Sequence, residues 1–180
     1  MSSSDRAGPR FRSLPVVAGA VLLTALSGCQ VRPLYSDGPT GSTAAALASI
    51  EISEPDDRVE QEVRNALVFI TSRGAGEPVN PLYHLALNVS HRTMGVLFDQ
   101  TDDDDDDQPG AGRTVVKADY NLTKTATGET VASGTRTAVA LADFPDQEFA
   151  KVRAVRDAQN RAAKELAEII GADIAAALGR

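Results

Sequence analysis

The 180-residue chain has no tryptophan, only three tyrosines and five phenylalanines, two histidines and one cysteine. With so few aromatic rings, a core has to be assembled from Val, Leu, Ile and Ala. A lone cysteine excludes an internal disulfide and a thiolate cluster. His84 and His91 form neither a His-x-x-x-His nor, with Cys, a Cys-x-x-Cys spacing, so the usual zinc patterns are excluded as well. Long apolar runs are also missing. The longest, Leu14 to Leu26, has 13 residues, whereas a membrane-spanning helix needs about 20. Positive charge is in deficit: the formal net charge is −7, which argues against coating nucleic acid or lying flat on anionic headgroups. No nucleophile, base and orienting group stand out as a set, so a binding protein is expected and not an enzyme.

What is present begins with Arg6, Arg10 and Arg12, followed by the apolar run and then Leu26-Ser27-Gly28-Cys29. A basic segment, a short apolar segment and small residues form the layout of a secretory signal. The last four residues resemble a bacterial lipobox. In such precursors the cysteine thiol takes a diacylglycerol, the bond before it is cut, and the new amino group is acylated. Residues 1–28 are therefore expected to be a lipoprotein signal peptide, and Cys29 the lipidated first residue of a 152-residue mature chain. The leader carries a net +2, so the remainder carries −9. Two or more acyl chains anchor stably where one does not.

Residues 29–45 contain Ser36-Asp37-Gly38-Pro39-Thr40-Gly41-Ser42-Thr43 and read as a flexible tether. A single domain then spans 46–180. Ala46–Ser53 is expected to be a first strand, with Ile50 and Ile52 on one face. Pro55-Asp56-Asp57 stops it and supplies acids for a helix start. Val59, Val63, Ala66, Leu67 and Ile70 then recur at helical spacing up to Gly74. Tyr83, Leu85, Leu87 and Val89 alternate as a second strand, extending through Met94 to Phe98. By the same parity His84 and His91 should point to opposite faces.

Residues 99–113 contain six consecutive aspartates, Asp102 to Asp107, and read as a solvated acidic loop. An EF-hand match fails: counted from Asp105, Gly110 falls at position six, but Pro109 stands at five and Val116 at twelve. Val116, Ala118, Tyr120 and Leu122 mark a third strand, Thr127-Gly128-Glu129 a turn, and Thr130–Leu141 a fourth strand. Asp143 and Asp146 offer caps for a last helix. Its stripe is Phe149, Val152, Val155, Ala158, Ala162, Leu166, Ile169 and Ile170, with fraying or a bend near Gly171. The expected fold is α+β: two helices packed on one face of a four-stranded, largely antiparallel sheet, in the order strand, helix, three strands, helix.

These pieces resemble the lipopolysaccharide-assembly lipoprotein family LptE, in its alphaproteobacterial form. The residues that carry the resemblance are Leu26-Ser27-Gly28-Cys29-Gln30-Val31-Arg32-Pro33-Leu34-Tyr35, Glu62-Val63-Arg64-Asn65-Ala66-Leu67, Tyr83-His84-Leu85-Ala86-Leu87, and the stretch from Phe149 to Ala167. The resemblance implies two helices on a four-stranded sheet. It implies an outer-membrane lipoprotein, anchored at the periplasmic face through diacylglycerol and an N-acyl chain on Cys29 and needing no other cofactor. The expected partners are the β-barrel LptD, which the family assists and plugs, and lipopolysaccharide; neither nucleic acid nor metal is expected. Arg92, Arg113, Lys117 and Arg136 are the candidates for meeting lipid A phosphates. The alternative is an accessory lipoprotein of an ABC-type phospholipid transport system.

Overall fold

A computed structural model describes residues 41–98 and 109–179. Cys29, the expected signal peptide, most of the expected tether and the aspartate run Asp102–Asp107 lie outside the described residues. The described elements are α1 (Ser42–Leu47), β1 (Ile50–Ile52), α2 (Arg58–Ser72), β2 (Tyr83–Phe98), β3 (Pro109–Lys124), β4 (Thr130–Asp143) and α3 (Glu148–Leu178).

The strands form one sheet in the order β1-β2-β3-β4. β1 and β2 are parallel, joined through α2, and the other two pairings are antiparallel. The period-two patterns choose the faces. Leu85, Leu87 and Val89 pair with Leu122, Tyr120 and Ala118, and Val116 pairs with Ala138. All of these are buried beneath α2 and α3. The helices contribute Val59, Val63 and Leu67 from α2, and Ala158, Ala162, Leu166, Ile170 and Ile174 from α3, all buried. The core is aliphatic, as the shortage of aromatics required, and among the described residues its one buried ring is Tyr120.

Helix α2 begins where its acids can cap it. Asp57 is the N-cap and accepts from the Glu60 amide at 2.8 Å, while the Glu60 carboxylate reaches back to the Asp56 amide at 3.3 Å. This is a variant of the reciprocal capping box. The helix stops at Ser72, with Arg73 left-handed at φ 54° and Gly74 at φ 84° carrying the chain out.

Helices α2 and α3 run parallel. The Arg58 guanidinium donates to Asn160 Oδ1 at 2.8 Å and also to Gln159 Oε1. One helix-length further on, a Cβ at Gly171 would lie 3.1 Å from Ile70 Cγ2. Gly171 is thus the close-approach point of two helices, and α3 continues through it to Leu178 without fraying there. Because α2 starts opposite Asn160, the first twelve residues of α3 project beyond it, by roughly 18 Å at about 1.5 Å per residue. Phe149, expected in the apolar stripe, is therefore 89% exposed and Val152 47% exposed.

Other boundaries also differ. Residues 42–45 of the expected tether and 46–47 of the expected strand form α1, and the first strand shortens to Ile50–Ile52. Thr43, Ala44 and Leu47 are buried, and the Thr43 side chain lies beside Gly179 at the end of α3. Tertiary burial thus imposes helix on a Gly- and Ser-rich neighbourhood. β3 starts at Pro109, so the last part of the expected loop is strand. Gln147, not Asp143 or Asp146, stands at the N-cap position of α3 and makes no side-chain cap hydrogen bond; the Phe144 amide still donates to Gly110 O at 2.8 Å and holds the chain there to the sheet.

Candidate functional site

With both long helices on one side, the opposite face of the sheet has no layer over it among the described residues. The register decides what stands there. Arg92 pairs with Val115, which pairs in turn with Val139. Arg113 pairs with Met94 and with Leu141, and Lys117 with Ser90 and Thr137. Residues two apart on a strand share a face, so Arg113 and Lys117 flank Val115, and Arg92 sits across from it. Three of the four basic candidates thus converge around a small apolar centre.

All three cations are exposed, while Val115 and Met94 are half-buried. Val139 is 47% exposed and Leu141 66% exposed, so aliphatic surface borders the charges on the β4 side. Lys117 Nζ lies 3.6 Å from Asp119 Oδ2. Asp119 Oδ1 also accepts from the Thr135 hydroxyl. That hydrogen bond, reinforced by Lys117, holds the Asp119 carboxyl below its usual range. Arg92 and Arg113 have no ion pair among the described residues, which leaves their guanidinium donors open to a ligand. A flat surface of alternating guanidinium and aliphatic groups suits an anionic amphiphile, with phosphate against Arg and hydrocarbon against Val and Leu.

Arg136 is not part of this group. It pairs with Ala118, shares parity with Ala138 and Ala140, and stands on the helix side of the sheet. Its Nε meets Asp173 Oδ2 of α3 at 2.7 Å, and Tyr120 Oη donates to the same oxygen at 3.1 Å. Burial, with Asp173 second, pushes the Tyr120 phenol above its ordinary value. Arg136 therefore helps clamp α3 to the sheet.

The histidines separate by face as their parity requires. His84 Nδ1 lies 3.6 Å from Glu51 on the open face, and His91 Nδ1 lies 3.6 Å from Asp57 at the start of α2. Among the described residues no three His, Cys, Asp or Glu side chains gather to hold a metal, and no helix is long and apolar enough to cross a membrane. A shallow groove of about 350 Å³ runs along the projecting start of α3, beside Val152, Val155 and Arg156.

Met94, Val115, Val139 and Leu141 are the part of the open face that a search for charge overlooks. Their signal was available: they occupy the same parity as the basic residues, opposite to the core positions.

No protein-family model matches the sequence, and comparison with curated proteins finds no match either. Solved structures do match. A Caulobacter crescentus CB15 protein assigned as a lipoprotein is 25% identical, with a TM-score of 0.60 over 76% of this chain and 95% of that one. A minor lipoprotein from Acinetobacter baumannii is 14% identical, with a TM-score of 0.52 over 71% of this chain and 88% of that one. Rare lipoprotein B from Shewanella oneidensis is 14% identical at a TM-score of 0.45, a likeness too slight to support an inference. The chain therefore shares its fold, over most of its length, with bacterial proteins described as lipoproteins.

Proposed function

We propose that this chain is an outer-membrane lipoprotein, tethered through acylated Cys29 at the periplasmic face. In this reading it assists and plugs the β-barrel LptD and contacts lipopolysaccharide during its transport to the cell surface. The observation that carries the reading is the fold match over 95% of the Caulobacter protein, combined with the lipobox-like Leu26-Ser27-Gly28-Cys29 and the Arg32-Pro33-Leu34-Tyr35 segment behind it. The open sheet face supports the lipid contact, because Arg92, Arg113 and Lys117 surround Val115 there. The work is binding; no bond is made or broken by the chain.

The test is to pull the tagged chain from membranes in mild detergent and identify what accompanies it, alongside depletion of the chain from cells. Recovery of LptD and loss of surface lipopolysaccharide are expected. Absence of the barrel, with altered glycerophospholipid traffic, would overturn the reading in favour of an accessory role in an ABC-type phospholipid system. Cys29→Ala checks the anchor separately: the variant should leave the membrane fraction.

A further inference from the structure

The end of the domain where the chain enters carries an apolar patch of its own. Phe69, in the last turn of α2, is 67% exposed, and Val79 and Leu82, in the segment that leads to β2, are 94% and 64% exposed. The Phe69 ring lies 3.4 Å from where a Cβ at Gly74 would stand, near the start of that segment. Leu82 closes the segment: its amide donates to the Ser49 carbonyl at 3.0 Å, and its carbonyl accepts from the Thr125 amide at 2.9 Å. The Ser49 hydroxyl in turn donates to Ala46 O of α1, whose Thr43 lies beside Gly179. Because α2 and α3 are parallel, these side chains share the end of the molecule at which residue 41 leads in.

Charge at this end does not oppose a lipid surface. Between Phe69 and Tyr83 the charged residues are Arg73 and Glu77. Glu77 is engaged internally: one oxygen accepts from the Ile52 amide at 3.1 Å and the other from Arg64 Nη2 at 2.5 Å. Arg73 is exposed and has no ion pair among the described residues, so a cation borders the patch. The backbone is also prepared to lose water. The Ala75 amide donates to Ser72 O and the Gly76 amide to Ser72 Oγ, both at 3.1 Å, while Pro78 and Pro81 have no N–H to leave unsatisfied. The six aspartates fall between Phe98 and Pro109, at the other end of the hairpin. Fifteen residues of β2 separate Phe98 from Tyr83, roughly 50 Å at about 3.3 Å per residue.

We propose that Phe69, Val79 and Leu82 dock on the membrane that holds the acylated chain, entering the boundary between headgroups and acyl chains with Arg73 against lipid phosphate. The inference rests on the acylated Cys29 proposed above and not on a barrel partner. Gly41 follows Cys29 by twelve residues, so covalent length alone keeps this end within about 43 Å of the anchor. The start of α3 lies roughly 45 Å farther, at the opposite end of a helix of 31 residues. An apolar patch bordered by a cation, on the end nearest an acyl anchor, selects a lipid surface as its occupant. Docked this way, the chain holds its aspartate run at the end remote from anionic headgroups.

The test uses the full, acylated chain on vesicles of phosphatidylethanolamine and phosphatidylglycerol that carry a nitroxide-labelled lipid. Acylation consumes the sole native thiol, so a fluorophore on Val79→Cys or on Phe149→Cys is the one label present. The nitroxide should quench the Val79→Cys label about threefold more than the Phe149→Cys label; Phe149 is 89% exposed but stands at the start of α3. Adding Phe69→Ser and Leu82→Ser, both at exposed positions where the fold tolerates change, should bring the Val79→Cys value down to that of Phe149→Cys. Equal quenching at the two sites, or no change with the serine pair, would overturn the proposal. A Val79→Cys label shielded from aqueous iodide before vesicles are added would assign the patch to the chain's own tether and overturn it too. The mass of the N-terminal peptide reports acylation separately. An unmodified Cys29 removes the anchor and this docking with it, whereas an acylated chain with equal quenching overturns the docking alone.

Discussion

A Cβ at Gly112 would lie 1.9 Å from Cζ of Phe144, so the Phe144 ring occupies the space a side chain at 112 would need. The ring seals the far end of the β3–β4 ladder and leads into α3, with Lys151 Nζ 5.4 Å from its centroid. Gly112→Ala should therefore expel the ring and cost about 1–3 kcal/mol, the range for overpacking. Denaturant unfolding measures the loss. In a Phe144→Ala background the same substitution should be nearly neutral, and the double-mutant cycle reads the coupling directly.

Glu60 provides a pH prediction. Burial holds its carboxyl above the ordinary glutamate value, Asp56 and Asp57 add to the rise, and backbone amides oppose it. Between the ordinary and the raised value, the folded chain binds more protons than the unfolded one. Stability should then fall as pH rises through that window and recover as pH is lowered. Glu60→Gln keeps the capping geometry and should flatten this part of the stability–pH curve, as followed by thermal unfolding between about pH 4 and 7.

Asp173 serves two partners, Tyr120 and Arg136. Asp173→Ala should lower stability by about 1–2 kcal/mol, the scale of a hydrogen bond to a charged group. It should also bring the Tyr120 phenol down toward its ordinary value, since Asp173 is one of the causes of the rise. Tyrosinate absorbance during alkaline titration measures the change, with Tyr120→Phe identifying the signal among the three tyrosines.

The basic residues of the two sheet faces should separate in binding. Arg92→Ala, Arg113→Ala and Lys117→Ala should each weaken capture of lipopolysaccharide by about two- to fivefold, the scale of an exposed ion pair. The losses should shrink as salt is raised. Arg136→Ala should leave capture unchanged while lowering thermal stability. Equal effects at all four positions would show that capture follows net charge and not the open face.

The strands and both long helices were legible because each buries one side, and a half-buried element carries its period in the sequence. Asp56 and Asp57 could be read as acids at a helix start for the same local reason, and Asp57 is the N-cap. The misses all turn on what an element meets in space. Phe149 and Val152 continue a helical stripe, yet nothing in the periodicity says that α2 begins only opposite Asn160. Residues 42–45 look like linker and 46–47 like the start of a strand, and all become helix with Thr43, Ala44 and Leu47 buried and Thr43 beside Gly179 at the end of α3. Of the basic candidates, Arg136 could have been separated by parity alone, since it alternates with Ala138 and Ala140. That Arg92 and Arg113 become neighbours depends on the β2–β3 register, which a long hairpin does not announce.

The chain enters the domain beside Gly179, at the end of the molecule where Tyr83 pairs with Lys124. From Lys124 to Arg113 is eleven residues of continuous strand, roughly 36 Å at about 3.3 Å per residue. The hairpin therefore acts as a rigid spacer: Lys117 and Arg113 sit at fixed distances from the point of attachment, set by strand length. Deleting one residue from each strand of the hairpin shortens that internal distance and turns the basic side chains beyond the deletion to the opposite face of the sheet.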